Sequence, residues 1–245
     1  MIQLDFSHIP PPVKDMEVID CTLIPGTSRY CDPDAEKVLS KLIAGRYSGI
    51  HFIDSGNYHY LTKLFTDPIP YPFDLLLLDH HPDMQEPAFA QLLSCGGWLR
   101  NMLESNRFLN KVVIAGIDRK LNSLAMDFPG RVTVICEDEV DDVVKSGIFP
   151  GNNDEENQTA RVPLYISIDK DVLSKDFAST DWDQGTMTLE SLEALLKAYS
   201  AGREIIGADI CGCFPESEGG TCEDASLNLD ADRRILRILK GLTPA

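Results

Sequence analysis

The run Asp79-His80-His81-Pro82-Asp83 sets carboxylates and an imidazole two residues apart, directly after the apolar stretch Phe73 to Leu78. If that stretch is a strand, Asp79 and His81 project the same way and Asp83 follows on the loop, because strand side chains alternate with period two. A second apolar stretch, Leu164 to Ile168, runs into Asp169-Lys170-Asp171 with the same spacing. In an open α/β sheet, ligands bind beyond the carboxyl ends of the strands, so both pairs stand where charged side chains can converge. Carboxylates gathered in a poorly solvated place repel one another, and divalent cations remove that repulsion. Four carboxylates with one or two imidazoles suit Mn²⁺ or a similar borderline-hard ion better than a thiol-seeking one.

A third segment, Ile50 to Asp54 followed by Ser55-Gly56-Asn57-Tyr58-His59, reads as a strand, a glycine turn and a helix beginning near His59. Gly56-Asn57-Tyr58-His59 resembles the Gly-Gly-Asp-His ligand motif of the arginase and agmatinase (ureohydrolase) family. Asp79 to Asp83 is similar to that family's Asp-Ala-His-x-Asp motif, and Ser167 to Val172 to its Ser-x-Asp-x-Asp-Val motif. The motifs occur in the family's order, and the resemblance extends from about Asp54 to the Ala208-Asp209-Ile210 strand end.

This resemblance implies a three-layer α/β sandwich with a mainly parallel central sheet, as in arginases and deacetylases. It implies two divalent metal ions, Mn²⁺ first among them. His59 and Asp83 would bind one, His81 and Asp171 the other, with Asp79 and Asp169 bridging. A hydroxide shared by the metals would be the nucleophile for hydrolysis of a C–N bond of amidine, guanidine-like or amide type in a small molecule. Two alternatives stand beside this. One is a deacetylase-like amide hydrolase, although such enzymes use a single zinc; the other is a non-catalytic metal-binding relative. The family's trimers and hexamers imply a homo-oligomer.

Two positions depart from the family. The glutamate that cups a guanidinium at the late strand end is replaced by Gly212, and the proton-shuttling histidine by Gly96. Arginase or agmatinase activity is therefore not expected. Cys95, Trp182 and Glu216 are the foremost loop residues for lining a different pocket; Asp183, Cys211, Cys213 and Glu218 share those loops. Cys211, Cys213 and Cys222 lack the paired spacing of a zinc site. His80 should face away from Asp79 and His81 as a packing or supporting residue, and His8 and His51 receive no role.

The elements that must position these residues follow from alternation of apolar runs with helical periods, which indicates an α/β fold with a parallel sheet. Strands are expected at Met16 to Ile19, Gly49 to Ile53, Phe73 to Leu78, Val112 to Ala115, Val132 to Ile135, Leu164 to Ile168 and Glu204 to Ala208. Helices are expected after Asp32-Pro33 as far as Gly45, and over Pro87 to Leu103, Leu189 to Tyr199 and Asp230 to Leu239. Glu137 to Asp142 reads as a solvated helix start and Gly151 to Arg161 as an exposed loop. No linker interrupts the chain, so residues 1–245 are expected to form one domain. A net charge of −17 argues against nucleic acid as partner. No apolar run approaches a membrane span and no secretory leader opens the chain, so the cytoplasm is expected. The odd count of 7 cysteines, spread along the chain, fits reduced thiols.

Overall fold

The computed structural model describes residues 1–87, 92–152 and 162–242. Its strands are β1 (Ile2–Asp5), β2 (Glu17–Asp20), β3 (Tyr30–Cys31), β4 (Gly49–Ile53), β5 (Phe73–Leu78), β6 (Leu93–Ser94), β7 (Leu109–Ile117), β8 (Val132–Cys136), β9 (Leu164–Asp169) and β10 (Ile205–Cys211). The helices are α1 (Pro33–Leu42), α2 (Leu61–Thr66), α3 (Trp98–Ser105), α4 (Val140–Ser146), α5 (Leu189–Ser200) and α6 (Cys222–Leu242).

Eight strands form one sheet in the order β2-β1-β4-β10-β9-β5-β7-β8, and every pairing in it is parallel. β3 and β6 pair separately as a small antiparallel ribbon. In β5 the period-two alternation sorts the leucines between two cores. Leu75 and Leu77 pack with Leu39 of α1, Leu64 of α2 and Met102 of α3. Leu76 and Leu78 pack with Val140 of α4, Leu192 of α5 and Ile235 of α6. Helices therefore cover both faces, and each buried leucine contributes about 1.5–3 kcal/mol. This is the expected three-layer α/β sandwich.

The order of the strands builds the site. β4 is followed in sequence by β5, yet β10 and β9 lie between them in the sheet. The segments leaving β4, β5, β9 and β10 consequently open onto a crevice where the winding reverses, the place such sheets bind ligands.

Several expectations change. β1 escapes the sequence reading because Ile2-Gln3-Leu4-Asp5 mixes polar and apolar residues, although it lies buried between β2 and β4. Its Gln3 is tolerated inside because Nε2 donates to the Ile9 carbonyl at 2.7 Å. The long helix expected over Pro87 to Leu103 starts only at Trp98; Leu93–Ser94 instead pairs with Tyr30–Cys31, and residues 88–91 lie outside the described residues. Most of the expected Gly151 to Arg161 loop also lies outside them, from residue 153 onward. β10 runs on to Cys211, which brings Asp209 and Cys211 into the sheet. Asp32 caps α1, accepting hydrogen bonds from the Asp34 and Ala35 amides. Among the described residues, no helix is long and apolar enough to cross a membrane.

Candidate metal centre

Beyond the carboxyl ends of β4, β5 and β9, six side chains meet. His59 follows a short 3₁₀ turn, Gly56–Tyr58, whose start is capped by Ser55. Its Nδ1 lies 3.0 Å from Asp83 Oδ2, 3.2 Å from Asp79 Oδ2 and 3.5 Å from Asp169 Oδ2. His81 Nδ1 lies 2.8 Å from Asp171 Oδ2 and 3.8 Å from Asp79 Oδ1. Asp79 thus turns one oxygen toward each imidazole. Asp169 does not: Oδ2 faces His59, while Oδ1 accepts the Asp171 amide at 3.0 Å.

Backbone geometry holds these groups. The Asp79 Oδ1 accepts the His81 amide at 2.6 Å, and Asp171 Oδ1 accepts the His80 amide at 3.0 Å, tying the end of β5 to the end of β9. Asp83 adopts a left-handed backbone, φ 50°, a conformation unfavourable for most residues but more accessible to Asp. Its carbonyl then receives the Leu99 amide at the start of α3, and its carboxylate receives the Trp98 indole N–H.

The electrostatics of this cluster demand positive charge. Burial, reinforced by the Asp171 and Asp83 charges, pushes Asp79 well above the usual carboxylate range, and burial with Asp171 also raises Asp169. Burial disfavours the His59 imidazolium, yet Cys211 and the Asp79 and Asp83 carboxylates outweigh it and raise this histidine. Burial likewise opposes His81, but Asp171 and its neighbours push it up to about 10. Asp79 Oδ2 is buried and accepts no well-aligned hydrogen bond, although His59 Nδ1 is near. Unsatisfied oxygens of this kind, with imidazole nitrogens facing them, are what divalent cations bind. Ligand atoms come within 4.8 Å of one another in three groups: His59, Asp79 and Asp83; Asp79, His81 and Asp171; and His59, Asp169 and Cys211.

The cluster forms the floor of a cavity of about 120 Å³. Cys95 and Trp182 line it, whereas Glu216 does not. Glu216 sits exposed on the 3₁₀ turn Glu216–Glu218 and lines a different cavity. Gly96 and Gly212 are not merely vacancies for lost side chains. The Gln85 side chain lies about 3.2 Å from where a Cβ on Gly96 would be. Gly212 has φ +89°, and a Cβ there would lie 2.3 Å from Asp169 Oδ1 and 2.7 Å from the Lys170 amide nitrogen. Neighbouring atoms crowd the volume a side chain would need.

His80 stays off the cluster, its ring edge-on to His81. His51 has a core partner that the sequence did not reveal: it stacks on Phe65 and lies 3.2 Å from the Tyr165 hydroxyl, and burial pushes it down to about 4. Cys211, Cys213 and Cys222 are not grouped as a metal site among the described residues; Cys213 meets Lys170, and Cys222 is exposed. Sequence reasoning missed Arg29, Tyr30 and Gln85 on the cavity wall. Arg29 stacks over Trp182 and donates to Asn57 Oδ1, which also receives the Trp182 indole N–H. No local periodicity marks Arg29-Tyr30; only its pairing with distant Leu93–Ser94 carries it there.

The comparisons agree with this architecture. The family model for the arginase family matches residues 48–228. An uncharacterized protein of Thermotoga maritima is 31% identical over 180 residues, covering 74% of this chain and 62% of that protein, so the chain spans about three-fifths of its length. Formimidoylglutamase from Bacillus subtilis subsp. subtilis str. 168 superposes with a TM-score of 0.64 at 14% identity, over 96% of this chain and 75% of that one. Proclavaminate amidino hydrolase from Streptomyces clavuligerus gives 0.66 at 18% identity, over 87% and 72%. A T. brucei arginase-like triple mutant bound with Mn²⁺ gives 0.59 at 18% identity, over 100% and 81%. At such identities the superpositions speak for the fold, and the family match over most of the chain speaks for descent: this chain belongs to the arginase family.

Proposed function

We propose that this chain is a binuclear divalent-metal hydrolase acting on a C–N bond of amidine, guanidine-like or amide type in a small molecule. The observation that carries the reading is the convergence of His59, Asp79, His81, Asp83, Asp169 and Asp171 on the floor of one cavity. His59 and Asp83 would hold one cation, His81 and Asp171 the other, with Asp79 between them because its two oxygens face the two imidazoles. Asp169 joins the His59 side and reaches toward the second only through its neighbour Asp171. Bound there, a pair of divalent cations supplies Lewis acidity and makes water nucleophilic at neutral pH. Mn²⁺ is the first ion to test, since carboxylate oxygens dominate the donors.

The chain's own residues then shape the substrate. Trp182 and Cys95 line the cavity with Gln85 and Tyr30, and Arg29 stands at its edge over the indole. A guanidinium needs a carboxylate fork, and the free carboxylates on this wall are all ligand candidates. Gly212 leaves the family's glutamate position without a side chain, so arginine and agmatine fit this pocket poorly. Losing such a contact commonly costs on the order of 10²-fold or more in rate.

The experiment is steady-state turnover on amidino, guanidino and N-acylated amine compounds with added Mn²⁺, with Asp79→Ala as control. Amine or ammonia release that Asp79→Ala abolishes supports the proposal, as does negligible urea from arginine and agmatine. Turnover that persists in Asp79→Ala sinks it. Two bound cations with no turnover on any class would favour the non-catalytic reading, for which Gly96, backed by Gln85, is the specific observation.

A further inference from the structure

Resting on the reading that the six side chains hold two cations, we infer that Cys211 is an additional ligand, binding the cation on the His59 side through its sulfur. Cys211 ends β10, and the sheet register sets it directly across from Asp169. Alternation along β10 sends Ala208 and Ile210 into the core under α5 and α6. Asp209 and Cys211 therefore turn to the opposite face, toward His59. The Cys211 Sγ stands 3.1 Å from Asp169 Oδ2, which is 3.5 Å from His59 Nδ1. Ligand atoms of these three residues lie within 4.8 Å of one another.

A buried cysteine is ordinarily a small apolar filler. Two observations set Cys211 apart. Its sulfur meets a carboxylate oxygen that also faces an imidazole nitrogen. Beside that same nitrogen stands Asp79 Oδ2, a residue only 1% exposed, which accepts no hydrogen bond. That unsatisfied oxygen and the sulfur both stand beside the one His59 imidazole.

Gly212 makes the approach of the sulfur possible. Its φ of +89° turns the backbone tightly against β9, where any Cβ would strike Asp169 Oδ1 and the Lys170 amide. A side chain at position 212 would push the end of β10 outward and take the thiol with it. The pair Cys211-Gly212 thus works as a unit in which the glycine sets the distance and the cysteine supplies the donor.

The consequence is an asymmetric centre. The His59 side offers nitrogen, sulfur and carboxylate oxygen, while the His81 side offers nitrogen and carboxylate oxygen alone. Sulfur favours Zn²⁺, Co²⁺ or Fe²⁺ over Mn²⁺, so the two positions prefer different ions. Ligation exchanges the thiol proton for the cation, and that proton leaves to solvent.

Titration of the metal-free whole chain with Co²⁺, followed by near-ultraviolet absorption, tests this without any assay of activity. A thiolate-to-cobalt charge-transfer band should grow with one equivalent of the two bound and with no more. Cys211→Ser should abolish the band and weaken one binding step by at least the roughly 10–100-fold that loss of a supporting contact costs, leaving the other step unchanged. Cys95→Ser, which removes the thiol that lines the cavity, should keep the band. Two equivalents bound to the wild type without a band would overturn the sulfur ligand and leave the two-cation reading standing. A band lost in Cys95→Ser but kept in Cys211→Ser would also overturn it. No cobalt bound at all would overturn both readings.

Discussion

His59 can serve as a ligand through Nδ1 only if its other nitrogen is occupied, and Ser167 sees to that. The Ser167 hydroxyl donates to Asp209 Oδ1 at 2.7 Å, so toward His59 Nε2, 2.9 Å away, it is left to accept. The proton therefore sits on Nε2, and Nδ1 faces the carboxylates with a free lone pair once a cation replaces the proton there. Ser167→Ala should lower divalent-ion affinity roughly 10–100-fold on the His59 side, read by calorimetry. Unchanged affinity would show that packing alone orients the ring. Asp209 behind the serine also accepts from Thr62 Oγ1 at 3.0 Å, yet burial pushes it up to about 6. A carboxyl raised on folding contributes stability that is fully present below its unfolded value, about 4, and is lost as pH rises through about 6. The metal-free protein should accordingly lose stability between those values, by about 3 kcal/mol at most from this group. Asp209→Asn should flatten that part of a chemical-denaturation series against pH; an identical slope would assign the effect to other groups.

At the scale of elements, the site depends on how closely the ends of β9 and β10 approach. Gly212 combines a positive φ with a Cβ position already filled by Asp169 and Lys170. Gly212→Ala should destabilise the metal-free protein by more than about 1 kcal/mol, since strain from the left-handed backbone adds to overlap with buried atoms. Denaturant midpoints would report it, and an alanine tolerated without loss would mean the strand ends can separate freely. Gly212→Glu, which restores the family's residue in name, should lose metal affinity and gain no urea release from arginine. A second elementary constraint is the start of α3, where the Leu99 amide is satisfied by the carbonyl of Asp83. Because Asp83 also accepts the Trp98 indole N–H, the order of its loop is coupled to the packing of Trp98, which is wholly buried.

For the whole molecule, a net charge of −17 and a buried group of carboxylates both favour binding of cations. Any ion that binds the folded chain and not the unfolded one stabilises it by mass action, about 2.7 kcal/mol at a hundredfold excess over Kd for a single site. For a chain of this size each kcal/mol raises Tm by roughly 2–4 °C. Mn²⁺ added to chelator-stripped protein should therefore raise Tm by about 5 °C or more, and Asp79→Ala should remove most of the rise. An equal rise in that variant would place the ions on the acidic surface instead.

The residue types and their spacing determined the chemistry legible in this chain. Asp79, His81, Asp83, Asp169 and Asp171 follow apolar runs that read as buried strands, and their place after those runs puts them at the carboxyl edge of the sheet. The apolar runs themselves marked β4, β5, β7, β8 and β9, for which local pattern and tertiary pairing agree. What tertiary structure alone decided is long-range. β1 is a strand because β2 and β4 flank it, and Arg29 and Tyr30 reach the cavity because Leu93–Ser94 pairs beside them. Cys211 and Gly212, readable in sequence as loop residues, become part of the centre because β10 inserts between β4 and β9. Sheet order joins segments as far apart in the chain as β4 and β10, and no local period carries that information, since contacts at such separation are selected by burial of the whole and not by the propensity of either partner.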